Sequence, residues 1–275
     1  MNDRVTVKIE DGVADVRLVR ADKMNALDNA MFAALVETGE RLKTEKALRA
    51  VVLSGEGRAF CAGLDMGNFQ QMASGERAGG EGTTGALVTA DRTPGGSNRA
   101  QHACMVWREI PVPVIGAIHG VAFGGGFQLA LGCDLRFVTP DVRLAVLEIK
   151  WGLIPDMAGI ALMRGLVRDD VARELTWTGR IFNGEEALAM GLATRVCADP
   201  HAEALALARE IAGKNPHAIR GGKRLINLMA EADQRTILLE ESREQTALIG
   251  SANQVEAVTA NLQKRAPSFA DELPG

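Results

Sequence analysis

Twice in this chain a short apolar run passes straight into a turn built of small residues. The first run is Ala50-Val51-Val52-Leu53, which ends at Ser54-Gly55 and leads into Arg58-Ala59-Phe60-Cys61-Ala62-Gly63-Leu64-Asp65-Met66. The second is Val112 to Ile118, opened by the proline pair Pro111 and Pro113, and it leads into Gly120-Val121-Ala122-Phe123-Gly124-Gly125-Gly126-Phe127-Gln128. Apolar runs of this length bounded by glycine or proline read as buried strands. The second turn also opens helical spacing from Phe127 to Gly132. Strands that lead through glycine turns toward helices make a mixed α/β body.

The rest of the first 198 residues fits that class. Val5, Val7 and Ile9 alternate on one face, Val13 to Val19 alternates again, and Asp11-Gly12 between them signals a hairpin. Asn25 is placed to cap a helix beginning near Leu27, with Leu27, Met31, Leu35 and Leu42 on one face. Further strands are expected near Leu135–Val138 and Leu144–Leu147. Residues 74–97 differ: glycines from Gly75 to Gly96 punctuate a stretch with few large apolar side chains. They read as a mobile surface segment with room for a short helix, serving either as a solvated loop or as a flap over a ligand site. From Ala202 on the pattern is helical. Leu205, Ala208, Ile211 and Ala212 share a face, Pro216 suits a first helical turn, and a last helix is expected over Gln254–Lys264. The domain reading is therefore a core over residues 1–198 and a helical region over 199–275 that packs on it or on a neighbouring subunit.

Composition excludes several functions. The chain has 275 residues, 47% hydrophobic and 24% charged, with a net charge of -4. That apolar content offsets the entropy of folding, and no apolar run approaches the ~18 residues of a membrane span. Met1-Asn2-Asp3-Arg4 leads directly into alternating residues without a secretory pattern. Mild acidity argues against nucleic acid as a partner. Cys61, Cys104, Cys133 and Cys197 show no metal or disulfide spacing, so reduced thiols in the cytoplasm are expected. His102, His119, His201 and His217 show no metal-ligand spacing either, and His119 reads as a satisfied buried histidine. GxSxG, GxxxxGK[ST] and HExxH motifs are absent. Gly221-Gly222-Lys223-Arg224 lacks the first glycine of a phosphate loop and is read as structural.

The two glycine turns place small residues where a backbone N–H can approach a ligand closely. Side by side, one N–H from each could grip a single oxygen, with the positive end of the following helix behind it. Such a pair favours a carbonyl becoming an enolate, and one donor is worth roughly 3–4 kcal/mol. Two tight structural turns are the alternative. Glu148, in Leu147-Glu148-Ile149-Lys150-Trp151-Gly152-Leu153-Ile154-Pro155-Asp156, ends an expected strand in apolar company. Buried and unpaired, it would have the raised pKa of a general base; otherwise it is a surface carboxylate. Asp156 sits before a helical stretch, where its structural reading is a helix N-cap.

In this order and at these distances, the two turns and the Glu148 segment resemble the enoyl-CoA hydratase/isomerase (crotonase) superfamily. The resemblance starts at Lys23-Met24-Asn25-Ala26-Leu27, similar to the family's CoA-binding turn. It runs to Gln263-Lys264-Arg265-Ala266-Pro267-Ser268-Phe269, similar to its C-terminal helix end. It implies a spiral of repeated ββα units with a C-terminal helical region, and homotrimers or hexamers made of paired trimers. The substrate implied is an acyl-CoA thioester, with no metal or redox cofactor and with coenzyme A entering as part of the substrate. By motif match, Leu64 and Gly125 would supply the oxyanion-hole N–H groups. Ala62, Leu64, Asp65 and Met66 would line the CoA path, and Lys23 and Lys264 would contact its phosphates, the latter across a subunit boundary. Catalysis would rest on Glu148 with Asp156 and Gln128. Hydratases of the family carry glutamate where this chain has Gln128, and dienoyl-CoA isomerases carry aspartate there. Glutamine can hydrogen-bond water but cannot take its proton. The resemblance thus implies proton transfer on an unsaturated acyl-CoA, by double-bond isomerisation or hydration. A non-catalytic acyl-CoA-binding protein, or another thioester reaction such as hydrolysis or ring cleavage, is the alternative.

Overall fold

The structure, a computed structural model, describes residues 3–68 and 91–271. Strands β1 (Val5–Glu10) and β2 (Val13–Leu18) form the antiparallel hairpin, joined by Asp11 and Gly12 at φ of 50° and 76°. Two consecutive positive φ values are what a two-residue hairpin turn requires. Beyond it every pairing between strands is parallel, and the single bridge from Leu144 to Phe182 is antiparallel. β3 (Ala50–Gly55), β4 (Val114–Ile118), β6 (Leu135–Val138) and β8 (Arg195–Val196) complete a sheet ordered β1-β2-β3-β4-β6-β8. The short strands β5 (Val121–Phe123) and β7 (Arg143–Ala145) pair in a second layer. Single bridges extend that layer: Leu27 to Leu64, Cys61 to Ala122 and Leu144 to Phe182. After β3, β4 and β6 the chain thus crosses from the large sheet into the small layer. The expected repetition of strand, turn and helix is physically this crossing.

Alternation along the strands divides the core in two. Ala14, Val16, Val51, Leu53, Val114 and Ile118 face one cluster, which also holds Leu35, Leu42, Val106 and Trp107. These come from helices α1 (Asn29–Lys43) and α2 (Arg99–Glu109). Val13, Ala50, Val52, Ile115, Ala117 and Phe137 face the other, against Ala204 and Ala208 of the helix over Pro200–Ala212. With both faces covered, β3 and β4 read as continuous apolar runs, as parallel strands do. The intervening helices are α3 (Gly125–Leu131), α4 (Gly159–Met163), α5 (Asp169–Thr178) and α6 (Gly184–Met190). The tail is α7 (Pro200–Ala212), α8 (Pro216–Leu228), α9 (Gln234–Leu248) and α10 (Ala252–Leu262), with prolines in the first turns of α7 and α8. Among the described residues no helix is long and apolar enough to cross a membrane.

Several local expectations are corrected. Asp28, not Asn25, caps α1, accepting the Met31 N–H at 2.7 Å. Asn25 is buried at φ 55°, and its side chain joins the Arg20 N–H to the Glu56 and Ala59 carbonyls. It is spent on stitching the turn before the helix, and Leu27 pairs in the second layer instead. The strand expected at Leu144–Leu147 ends at Ala145, and Glu148 opens a 3-10 turn, Glu148–Trp151. Asp156 caps no helix, because α4 starts at Gly159 behind Ala158 at φ 71°. His119 is only half-buried, though its Nε2 does meet the Gly57 carbonyl at 2.9 Å. The flap expected over 74–97 lies, for residues 74–90, outside the described residues. Residues 91–97 form a turn held by Thr93 Oγ1 and Ser97 Oγ at 2.8 Å, feeding the Asn98–Gln101 capping box of α2. The Gly221–Arg224 segment lies inside α8, where buried Lys223 donates to Asp134 at 2.6 Å and to the Val112 carbonyl at 2.9 Å.

Candidate active site

The two glycine turns meet. The Cys61 N–H donates to the Val121 carbonyl at 3.1 Å, and the Phe123 N–H returns to the Cys61 carbonyl at 3.2 Å. So close a fit leaves no room for side chains. A Cβ on Gly126 would stand 2.3 Å from the Cys61 carbonyl oxygen. A Cβ on Gly63 would stand 2.5 Å from the Phe123 oxygen and 3.7 Å from the Gly125 nitrogen. Gly63 and Gly124 also sit at φ of 91° and 49°, which glycine alone adopts without strain. Leu27 donates to the Gly63 carbonyl at 2.8 Å and accepts from Asp65 at 3.1 Å. The Leu64 N–H between them therefore points away from Leu27. The Gly125 N–H leaves the first turn of α3, where no intrahelical acceptor exists. Among the described residues neither amide donates to another backbone group.

Glu148 lies against the same turn: a Cβ on Gly124 would stand 3.2 Å from its Oε1. That oxygen accepts the Gln128 Nε2 at 2.6 Å, while Oε2 is buried with no partner among the described residues. Burial pushes the Glu148 carboxyl above the ordinary glutamate value; hydrogen bonding by its own backbone, by Gln128 and by the Leu147 backbone pulls it down, and the charge of Asp156 adds to the rise. Asp156 keeps exposed surface, yet the protein around its carboxyl removes enough water to push it up as well. Gln128 is buried, and its Oε1 accepts the Met157 and Gly159 N–H groups, both at 2.8 Å. Both amide heteroatoms are thus engaged by protein. The arrangement offers one buried carboxylate oxygen without a partner among the described residues, against the Gly124 turn that leads into Gly125.

Of the other expected residues, Ala62, Asp65 and Met66 follow the first turn, and Met66 is exposed. The Asp65 side chain is taken by Arg20 Nη1 at 2.6 Å and by the Gly67 N–H at 2.9 Å, and its backbone N–H and carbonyl are bonded to Leu27 and Asn68, so its polar groups are engaged within the protein. Lys23 is exposed in the 3-10 turn Ala21–Lys23. Lys264 is exposed past the end of α10, and among the described residues no contact joins it to the Glu148 cluster. The sequence reading missed Arg20, which also donates to the Ala26 carbonyl at 2.9 Å and so pins the two ligand-side turns together. It missed a second cluster too. Glu40, His102 and Glu109 bring potential metal-ligating atoms within 4.8 Å of one another. Lys43 Nζ bridges the two carboxylates at 3.1 and 2.8 Å, so an ammonium already fills the place of a cation.

Known proteins resemble this chain over nearly its whole length. The sequence model for enoyl-CoA hydratase/isomerase matches residues 8–272. A mitochondrial Delta(3,5)-Delta(2,4)-dienoyl-CoA isomerase of Mus musculus is 32% identical over 92% of this chain and 77% of its own. A mitochondrial methylglutaconyl-CoA hydratase of the same organism is 30% identical over 95% of this chain and 80% of its own. Among solved structures, a putative enoyl-CoA hydratase from Streptomyces coelicolor superposes with a TM-score of 0.86 at 30% identity, covering 98% of this chain and 94% of that one.

Proposed function

The chain belongs to the enoyl-CoA hydratase/isomerase family, an enzyme class, and from that premise we propose that it moves the double bond of an unsaturated acyl-CoA by a one-carboxylate proton shuttle. The thioester oxygen sits between the Leu64 and Gly125 N–H groups. The Glu148 carboxylate removes a proton from C2 of a 3-enoyl thioester, and the electron pair of that C–H bond flows into a dienolate whose oxygen the two amides hold. The protonated Glu148 then returns the proton to C4, leaving the double bond between C2 and C3. One group acts as base and then acid, so the step balances without a second proton carrier, metal or redox group. Coenzyme A enters as part of the substrate. Ala62, Leu64, Asp65 and Met66 line its path through their backbone, Lys23 lies near its phosphates, and Lys264 reaches a neighbour's site within a homotrimer or a hexamer.

The observation that carries this reading is the buried, unpartnered Oε2 of Glu148 beside Gly124, next to a glutamine that cannot exchange a proton. Water addition is the second reading. Asp156, a carboxyl raised by burial whose charge reaches Glu148, favours it as a second acid. Incubation with 2-enoyl-, 3-enoyl- and 3,5-dienoyl-CoA, with products identified by NMR, separates the two. Double-bond migration is the expected result. A 3-hydroxyacyl-CoA as the sole product would replace isomerisation with hydration.

A further inference from the structure

We infer that Gln128 is a positioning residue, clamped by the Met157 and Gly159 amides, that holds one oxygen of Glu148 and leaves the other to carry the proton. The inference deepens the one-carboxylate shuttle and rests on that reading for its catalytic meaning. It begins with orientation. A glutamine amide can be turned either way, and only its neighbours decide. Here two backbone N–H donors converge on one end, each at 2.8 Å. Turning the amide would set its NH2 against two donors and lose all three hydrogen bonds. Nε2 therefore faces Glu148, where it meets Oε1 at 2.6 Å.

The clamp is built from the other side as well. Ala158 adopts φ 71°, which lets the residues on either side of it aim their N–H groups at one point. A Cβ on Gly159 would stand 2.7 Å from the Gln128 Cγ and Oε1, so only glycine permits this approach. With Oε1 of Glu148 tied to a donor, Oε2 is the oxygen that is buried, vacant and able to accept a proton. The amide donates at every pH. Gln128 therefore adds no second titrating carboxyl to the Oε1 side of Glu148. The charged neighbour whose field reaches it is Asp156. The Cys104 thiol also lies within that field but is held neutral by burial, and the Lys150 ammonium lies over the Trp151 ring at 5.5 Å.

The test compares wild type, Gln128→Leu and Gln128→Glu, each labelled with 13C at the glutamate carboxyls. The Glu148 signal is identified by its loss in Glu148→Gln. In Gln128→Leu the Glu148 midpoint is expected to rise, because one of the donors that favour its charged form is gone while those of the backbone remain. In Gln128→Glu, which keeps the acceptor for Met157 and Gly159 and so protects folding, it is expected to rise by more than about 1 pH unit and to titrate in two steps. Affinity for butanoyl-CoA is expected to stay within about twofold of wild type, since both amide heteroatoms of Gln128 are engaged by protein, while kcat in Gln128→Leu falls by up to about a hundredfold. A Glu148 midpoint unchanged in both variants overturns the inference. So does a loss of butanoyl-CoA affinity that matches the loss of kcat. Shifted midpoints in a protein that turns over no enoyl-CoA would sink the shuttle and leave the clamp standing.

Discussion

At the scale of single residues, Glu148 carries two consequences of one cause. Its carboxyl is raised by burial and must be ionised to accept a proton. Activity is therefore lost as pH falls through that raised value, and the acid limb of kcat/KM lies above the ordinary glutamate range of about 4.3. A limb at or below that range would contradict the burial. The same shift acts on stability. A carboxyl whose folded value is raised favours the protonated folded state. Stability is thus lost as pH rises from the ordinary value through the raised one, and the deficit is constant above it. Glu148→Gln keeps an acceptor for Gln128 and removes the buried charge. Its melting temperature should exceed wild type at neutral pH and match it below the ordinary glutamate range, a pattern calorimetry reads directly. Glu148 and the glycines were legible in the sequence because each is marked by type and order. The Gln128 clamp was not: its partners Met157 and Gly159 lie 29 and 31 residues away, and nothing local announces two converging amides.

At the scale of elements, the site depends on two turns that touch through backbone. Gly126→Ala would drive a methyl to 2.3 Å from the Cys61 carbonyl and separate the turns. A loss of about 1–3 kcal/mol of stability is expected from such overpacking, with a fall in turnover of at least about tenfold as the amides part. Gly222→Ala is the contrast. It lies within α8 with nothing within 4 Å of the added methyl, so urea unfolding should show a gain of roughly 0.5–1 kcal/mol. If Gly126→Ala proved as harmless as Gly222→Ala, the close approach of the turns would be in error. The hairpin, β3, β4 and Pro216, which opens α8, were readable because their signals lie within a few residues. The start of α1 was misread because Asn25 looks like a cap, whereas its partners Glu56 and Ala59 come from more than 30 residues away. The end of β7 was missed because Val146 and Leu147 continue the apolar run after the strand pairing has stopped.

At the scale of the whole molecule, the tail leaves large apolar side chains in the open. Leu238, Leu239, Ile249, Val255 and Val258 of the α9–α10 region are exposed, and Leu262 is 81% exposed. Large apolar side chains in the open are what an association surface would bury, and the proposed homotrimer or hexamer would cover them. Light scattering should give the mass of three or six chains. Leu262→Asp combined with Val258→Asp should shift the mass toward one chain without changing the fold seen by circular dichroism. A wild-type chain that stays single at micromolar concentration would remove the trimer from the account, and with it the place of Lys264 in a neighbour's site.

The account as a whole turns on Glu148 being the one proton carrier. The most direct measurement follows a 3-enoyl-CoA in deuterated water by NMR, with wild type beside Glu148→Gln. Wild type should move the double bond and place label at C2 and C4. Glu148→Gln should slow both processes by roughly 100-fold or more while still binding butanoyl-CoA. Migration and exchange that persist at the wild-type rate in Glu148→Gln would contradict the claim.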